Sequence, residues 1–551
     1  MKTLEVSGKR KLKGIIRVSG SKNASLPILA ASILSNKPIK ILNLPKVKDI
    51  ETMISLLISL GCKIKINNRQ KSLEIKNSNK IKTFASYKLM KTMRAGILVL
   101  GPLLARFKEA KVSLPGGCAI GARPVDIHLK SLSKLGAKYK IKDGYIYATA
   151  PNGLKGNKII FPRISVGATE NIIIAACFAK GKTILKNCAI EPEIDDLILF
   201  LKKMGFNIEW KGKRILSIVG SRETKELIHS VMPDRIEAGT YLIAGALTNG
   251  RLCIKNINPK IILTEINILK KIGVEIKIKN SDLIVYRKKN LRSLSLKTAP
   301  YPGFPTDLQA QMMVLLCLAK GKSSITEEIF ENRFMHAPEL NRMGAKIKIK
   351  GNKAHINGNI KFKSAELMAT DLRASVSLVL AALCADGTSK VNRIYHLERG
   401  YESLEKKLKK VGSKIKKVSW LMENKFLSKI IARDLEGLNL ISACCHNAKI
   451  KIEDIKYLKN NHIVLVLLKR PKNEKSNNNQ YVKSICKFEF IDNVKSKNIS
   501  QENRDLLLNL VTIEVYKKEK NFEISLIFSD NRYITLSTEV IEVTLEDKIN
   551  D

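Results

Sequence analysis

Aromatic side chains are scarce in this 551-residue chain. Phe, Trp and Tyr make up 5% of it, and no stacking motif of the kind that reads single-stranded nucleic acid is present. Acidic residues are also few, 50 Asp and Glu against 98 Lys and Arg, which leaves a formal net charge of +48 at pH 7. Such a charge invites polyanions. The lysines, however, are spread over nearly every segment, commonly as Lys-Ile or Lys-Lys pairs at strand ends, so solvated surface from compositional bias is the expectation, with no specific nucleic-acid partner. Long apolar runs are missing as well. Leu26 to Leu34 is broken by Pro27 and is too short for a bilayer, so no membrane span is expected, and Met-Lys-Thr-Leu-Glu shows no export signal. The ten cysteines are scattered rather than paired at ligand spacing. Cys177, Cys317 and Cys384 lie in Ala/Leu-rich runs that read as buried helices, and the adjacent Cys444, Cys445 and His446 lack the spacing of a zinc site. No metal and no cofactor are expected, and the composition fits a reducing cytoplasm.

What is present is a repeat. An apolar helix end, a glycine and an alternating strand recur at Gly61, Gly136, Gly205, Gly273, Gly344 and Gly412, at intervals of 75, 69, 68, 71 and 68 residues. That is too long for a solenoid unit and too regular for chance. Each glycine suits the position just past a helix end, where a left-handed backbone stops the helix. A second helix precedes another glycine and strand in several units, as over Ala175–Leu185, Leu242–Ile254 and Leu315–Ile325. The length accommodates roughly three or four domains, and the fold class expected is α/β, six repeated units of strands and two helices. After Trp420 the pattern changes to short strand-like runs at His462–Leu468, Tyr481–Phe490, Phe522–Phe528, Tyr533–Leu536 and Glu539–Leu545, with a polar loop over Arg470–Gln480. This tail reads as a separate β-rich domain.

Chemistry gathers in segments where charge stands beside glycine, proline or a helix start. In Ser113–Asp126, three glycines and two prolines surround Cys118, which predicts a reachable loop. Arg123 five residues on would lower the thiol's pKa and poise it as proton donor or nucleophile; the alternative is an ordinary turn with an inert cysteine. Ser21-Lys22-Asn23 precedes a helical run, so Lys22 and the helix amides form a candidate anion site, or Ser21 is simply a cap. Asp307, after the turn Ala299–Gly303 and Phe304-Pro305-Thr306, could accept a proton from a substrate hydroxyl or cap the helix that follows. Arg94, Arg123, Arg333, Arg373 and Arg399 are a minority among the bases. Together they suggest bidentate recognition of a small, multiply anionic substrate.

Lys22-Asn23, the Cys118 loop, Phe304-Pro-Thr-Asp307, Glu331-Asn-Arg-Phe334-Met-His and Ala369-Thr-Asp-Leu-Arg373-Ala, in that order, strongly resemble the UDP-N-acetylglucosamine 1-carboxyvinyltransferase family of enolpyruvyl transferases. The resemblance runs from Met1 to about Trp420. It implies an inside-out α/β barrel in two domains of three units each, 22–231 forming the first and 1–21 with 232–420 the second, followed by the β-rich domain 421–551. It implies phosphoenolpyruvate and UDP-N-acetylglucosamine as substrates. It further implies Cys118 as the acid, Asp307 as base or anchor for the sugar 3-hydroxyl, and Lys22, Arg123 and Arg399 around the phosphate. Arg333 and Arg373 would lie near the carboxylate, with Asn23 bonding the intermediate. The nucleotide sugar would lie along Arg94, Arg123, Pro124, Val125, Asp126, Ile127, Arg163, Ile164, Ser165, Val166, Asp307 and Ile329. Arg163 departs from the lysine that many relatives carry. The tail from about Asp434 resembles a small alphaproteobacterial family of unassigned function, several members of which are encoded beside this enzyme, and hints at regulation, through a regulatory partner, or at assembly; the alternative is an inert appended domain. Rival readings are the shikimate enolpyruvyl transferase, which does not use such a cysteine loop, and a nucleic-acid-binding protein acting through the charge.

Overall fold

The computed structural model describes residues 2–547 apart from 79, 91–92, 116–124, 288–289, 420–428, 433, 472–480, 501–502, 504 and 518–520. The chain divides into two compact units, Met1–Ser419 and Trp420–Asp551.

In the first unit the repeated phrase becomes a repeated object. The helices Lys48–Leu60, Asp126–Lys134, Pro192–Lys203, Leu263–Ile272, Ala337–Arg342 and Leu404–Lys410 each run into one of the six glycines, all with φ between +92° and +111°. A side chain is disfavoured there, so the helix ends and the chain turns into an edge strand. Lys48–Leu60 shows why such a segment is a helix: Ile50, Met53, Ile54, Leu57 and Leu60 fall on one buried stripe. Each fully buried Leu or Ile contributes about 1.5–3 kcal/mol.

Among the described residues six four-stranded sheets result. Within each, one parallel pair is followed by two antiparallel pairs, as in Lys158–Ile160, Lys182–Lys186, Ile215–Val219 and Asn207–Gly212. Two sheets are completed by the N-terminus: Lys13–Arg17 pairs with Arg251–Lys255, and Lys2–Ser7 lies between Thr388–Asn392 and Lys414–Ser419. Leu227–Ser230 in turn pairs with Ile39–Leu42. The chain thus crosses twice between two hydrophobic cores, one built from residues between Ala24 and Val231, the other from Leu4–Val18 with Ile236–Ile415. Buried helices, among them Lys22–Ala31, Val166–Ala176, Arg235–Leu247, Gln309–Leu318 and Leu372–Cys384, fill these cores. Cys177 and Cys317 are fully buried, and burial pushes the Cys317 thiol up to about 12.

The second unit is a ten-stranded sheet. Strands Ile463–Pro471, Tyr481–Glu489, Phe522–Phe528 and Arg532–Thr538 lie where the alternation placed them, whereas the run Glu539–Leu545 becomes strand only from Val543, over Val543–Asp547. Strand Leu507–Lys517 and helix Leu435–Cys444 did not stand out in the pattern; Asp434 caps the helix, accepting from Gly437 N at 2.8 Å. Most of the Arg470–Gln480 loop lies outside the described residues, and Arg470 and Pro471 end a strand. Among the described residues no group of three or more His, Cys, Asp and Glu could hold a metal, and no helix is long and apolar enough to cross a membrane.

Candidate active site

The two crossings lie side by side. Asp234 N donates to Ser19 O at 2.9 Å and Ser21 N to Met232 O at 2.7 Å. Gly20 between them is obligatory, since a Cβ there would stand 1.8 Å from the Asn43 carbonyl oxygen. Each crossing runs straight into a helix. Ser21 caps Lys22–Ala31, so the helix begins two residues earlier than its apolar run. Asp234 caps Arg235–Leu247 and also accepts from Lys22 N at 3.4 Å.

Cations converge beside this junction. Lys22 Nζ and Arg399 Nε, one from each core's territory, both donate to Asp49, at 3.1 and 2.9 Å. Asp49 is buried, which alone would raise its pKa, but Lys22 and Arg399 hold it below the usual carboxylate range. It stays an anion and fixes both cations in place. Asn23 stands half-buried in the same first helical turn as Lys22.

Asp307 does not cap its helix. It sits in the single turn Thr306–Leu308, its backbone carbonyl accepting from Gln311 Nε2 at 3.0 Å, and each carboxylate oxygen takes one guanidinium: Arg333 Nη2 and Arg373 Nη2, both at 2.7 Å. These two arginines are buried rather than surface salt bridges, at 6% and 5% exposure. Burial would raise the Asp307 pKa, yet Arg373 and Arg333 drive it well below the usual range, and Lys22 acts in the same direction. Lys22 is therefore within electrostatic reach of Asp307. Arg373 is oriented in turn by Tyr401, whose hydroxyl accepts from Nη1 at 3.2 Å and also contacts Thr240 and Gln311.

A third group of candidates is joined at Asn171. Its Oδ1 accepts from Gly101 N at 2.8 Å, and its Nδ2 reaches Ile97 O at 3.2 Å and His128 Nδ1 at 3.0 Å. This ties together the turn that begins at Arg94, the helix that begins at Asp126 and the helix Val166–Ala176 that Ser165 caps. Arg163 and Val166 are exposed, Arg94, Val125, Ile164 and Ser165 half-buried, and Asp126 Oδ1 is buried without a hydrogen-bond partner among the described residues. Ile127 is 4% exposed in the core, so what it can offer a ligand is backbone. Ile329 is half-buried on the other side, near Asp307 in the chain fold. Cys118, Arg123 and Pro124 lie outside the described residues.

Sequence reasoning missed Asp49, Asp234, Gln311 and Tyr401. Asp49 follows a lysine at a helix start, where acidic residues are commonplace. No local signal separates it from an ordinary first-turn carboxylate.

The chain is similar to known proteins in sequence and in fold. The family of EPSP synthases (3-phosphoshikimate 1-carboxyvinyltransferases) matches residues 6–408, and a family described as "Protein of unknown function (DUF2948)" matches residues 428–551. A UDP-N-acetylglucosamine 1-carboxyvinyltransferase of Pelagibacter ubique is 69% identical over 419 residues, covering 76% of this chain and 100% of the relative. One from Endomicrobium trichonymphae is 50% identical over 417 residues, covering 76% and 99%. Among solved structures, the enolpyruvyl transferase NikO from Streptomyces tendae superposes with a TM-score of 0.69 at 24% identity, over 76% of this chain and 99% of that one, a likeness of fold.

Proposed function

The chain belongs to the UDP-N-acetylglucosamine 1-carboxyvinyltransferase family of enolpyruvyl transferases, and from that premise we propose how its residues carry out the reaction. The enzyme transfers the enolpyruvyl group of phosphoenolpyruvate to the 3-hydroxyl of UDP-N-acetylglucosamine, releasing phosphate, in peptidoglycan synthesis, and it is a fosfomycin target.

The observation that carries the residue assignments is the pairing of cations with two carboxylates. Phosphoenolpyruvate brings a phosphate and a carboxylate on a three-carbon frame, and the enzyme offers Lys22 with Arg399 on one side and Arg333 with Arg373 on the other. We assign the first pair, with Arg123, to the phosphate and the second to the carboxylate. Cys118 gives its proton to the methylene carbon, the neighbouring carbon becomes electrophilic, and the sugar 3-oxygen adds to it. Loss of phosphate and of a proton from the new methyl group restores the double bond. Asn23 bonds the tetrahedral intermediate.

Asp307 takes the 3-hydroxyl proton. Clamped by two guanidiniums it is a weak base, because an anion so stabilised gains little from a proton. When the substrate carboxylate shares Arg333 and Arg373, that stabilisation falls and the base strengthens. Substrate binding thus prepares the group that deprotonates the acceptor. The nucleotide lies along Arg94, residues 123–127 and 163–166, and Ile329.

We read residues 22–231 and 1–21 with 232–420 as the two catalytic domains, the cytoplasm as their compartment, and the C-terminal domain as an alphaproteobacterial regulatory module held at high effective concentration by fusion. A nucleic-acid role for that domain finds no support in its charge, 21 Lys and Arg against 19 Asp and Glu over residues 421–551. Truncation at Trp420 followed by an activity assay tests the module. Phosphate release from phosphoenolpyruvate with each acceptor tests the reaction: release with UDP-N-acetylglucosamine is expected, and release only with shikimate 3-phosphate would refute it.

A further inference from the structure

Glu327 follows strand Lys322–Thr326 and precedes the segment carrying Ile329, Phe330 and Arg333. It is 2% exposed, and both of its oxygens are engaged. Oε1 accepts from Thr298 Oγ1 at 2.9 Å, Ile329 N at 2.9 Å and Phe330 N at 3.3 Å. Oε2 accepts from Thr306 Oγ1 at 2.8 Å. Charge-assisted bonds to a buried carboxylate are among the stronger ones available to a protein. A single side chain therefore fastens the turn that holds Asp307 to the segment that holds Ile329.

The fastening closes on itself. Thr306 is the residue before Asp307, Asp307 pairs with Arg333 at 2.7 Å, and the Arg333 guanidinium lies over the Phe330 ring, 5.5 Å from its centroid. Phe330 N returns to Glu327. Any shift of the Glu327 carboxylate would move the Asp307 turn and the shelf under Arg333 together. Lys22 acts on this circuit through its charge on Asp307.

We propose that Glu327 is a positioning residue, setting through Thr306 and Phe330 the place of Asp307 and of the Ile329 backbone against the acceptor sugar. This rests on the assignment of Asp307 to the acceptor hydroxyl. Misplacing a reacting group by about 1 Å costs on the order of a hundredfold in rate.

The test is kinetic and uses the full chain. Thr306→Val removes the hydroxyl at constant shape, while Thr306→Ser keeps it. Thr306→Val is expected to lower kcat and raise the KM for UDP-N-acetylglucosamine, with kcat/KM for that substrate down about tenfold or more, and to raise the KM for phosphoenolpyruvate less, because the Phe330 bond to Glu327 that supports Arg333 is kept. Thr306→Ser is expected to restore the wild-type constants, and matching melting temperatures for the two variants separate positioning from loss of fold. Thr306→Val kinetics equal to those of Thr306→Ser, or a KM for phosphoenolpyruvate that moves as far as that for the sugar nucleotide, would overturn the proposal. Asp307→Asn, assayed alongside, distinguishes the two failures. An inactive Asp307→Asn with an unaffected Thr306→Val overturns the role of Glu327 alone, whereas a fully active Asp307→Asn overturns the reading of the site as well.

Discussion

Replacing Asp49 by asparagine probes the cation pair without changing its shape. In the wild type one oxygen holds Lys22 Nζ at 3.1 Å and the other Arg399 Nε at 2.9 Å, and the side chain is 7% exposed. The amide oxygen of the new side chain would still accept from one cation, but its NH2 group faces the other, donor against donor. One charge-assisted bond is lost, about 1.5–3 kcal/mol. At 1.36 kcal/mol per factor of ten, that is roughly 10- to 150-fold in rate, provided the bond orients the cation for the phosphate in the transition state. Because a cation turned out of line still attracts the substrate, the loss falls on kcat, while the remaining unbalanced positive charge strengthens binding of free phosphate. Initial rates of phosphate release, with each substrate varied and with added phosphate, measure both effects. A kcat within twofold of wild type, or weaker inhibition by phosphate, would refute the view that Asp49 aims Lys22 and Arg399.

Asp307→Ala leaves two buried guanidiniums without their carboxylate, so we expect destabilisation of about 3–5 kcal/mol as well as loss of activity, measured by denaturant unfolding. Burial pushes the His128 imidazole down to about 4, with Asp126 opposing. The unfolded chain binds that proton near pH 6.5 and the folded one does not, so His128 makes stability rise with pH between about 4 and 6.5, by roughly 3 kcal/mol, and His128→Gln should flatten that part of the pH–stability curve. Fosfomycin should alkylate Cys118; mass spectrometry of fully inhibited enzyme showing an unmodified Cys118 would contradict its role.

The repeat was legible because a glycine that must take positive φ cannot be replaced cheaply, and six such positions set the frame by spacing alone. Some strands of the tail, such as Phe522–Phe528, were legible by alternation, while others, such as Ala448–Lys451 and Leu507–Lys517, were not. Helix Leu435–Cys444 was not, since its buried residues, Leu438, Ile441 and Ser442, cover only one short stripe within a run that is apolar on most sides. At the site, arginines in a lysine-rich chain pointed to Arg333, Arg373 and Arg399 before their partners were visible. Their partners were harder: Asp307 looked as much like a cap as a functional carboxylate, and Asp49 lies 350 residues from the arginine it holds. Such pairings belong to the tertiary fold, where the two crossings at Ser19–Ser21 and Met232–Asp234 bring distant segments together.

The account turns on a proton added to the methylene carbon and later removed from the resulting methyl group, and running the reaction in D2O reads this directly. Enolpyruvyl product carrying deuterium on its methylene carbon, detected by mass spectrometry, is the predicted result; product formed at the normal rate with no deuterium at that carbon would contradict it.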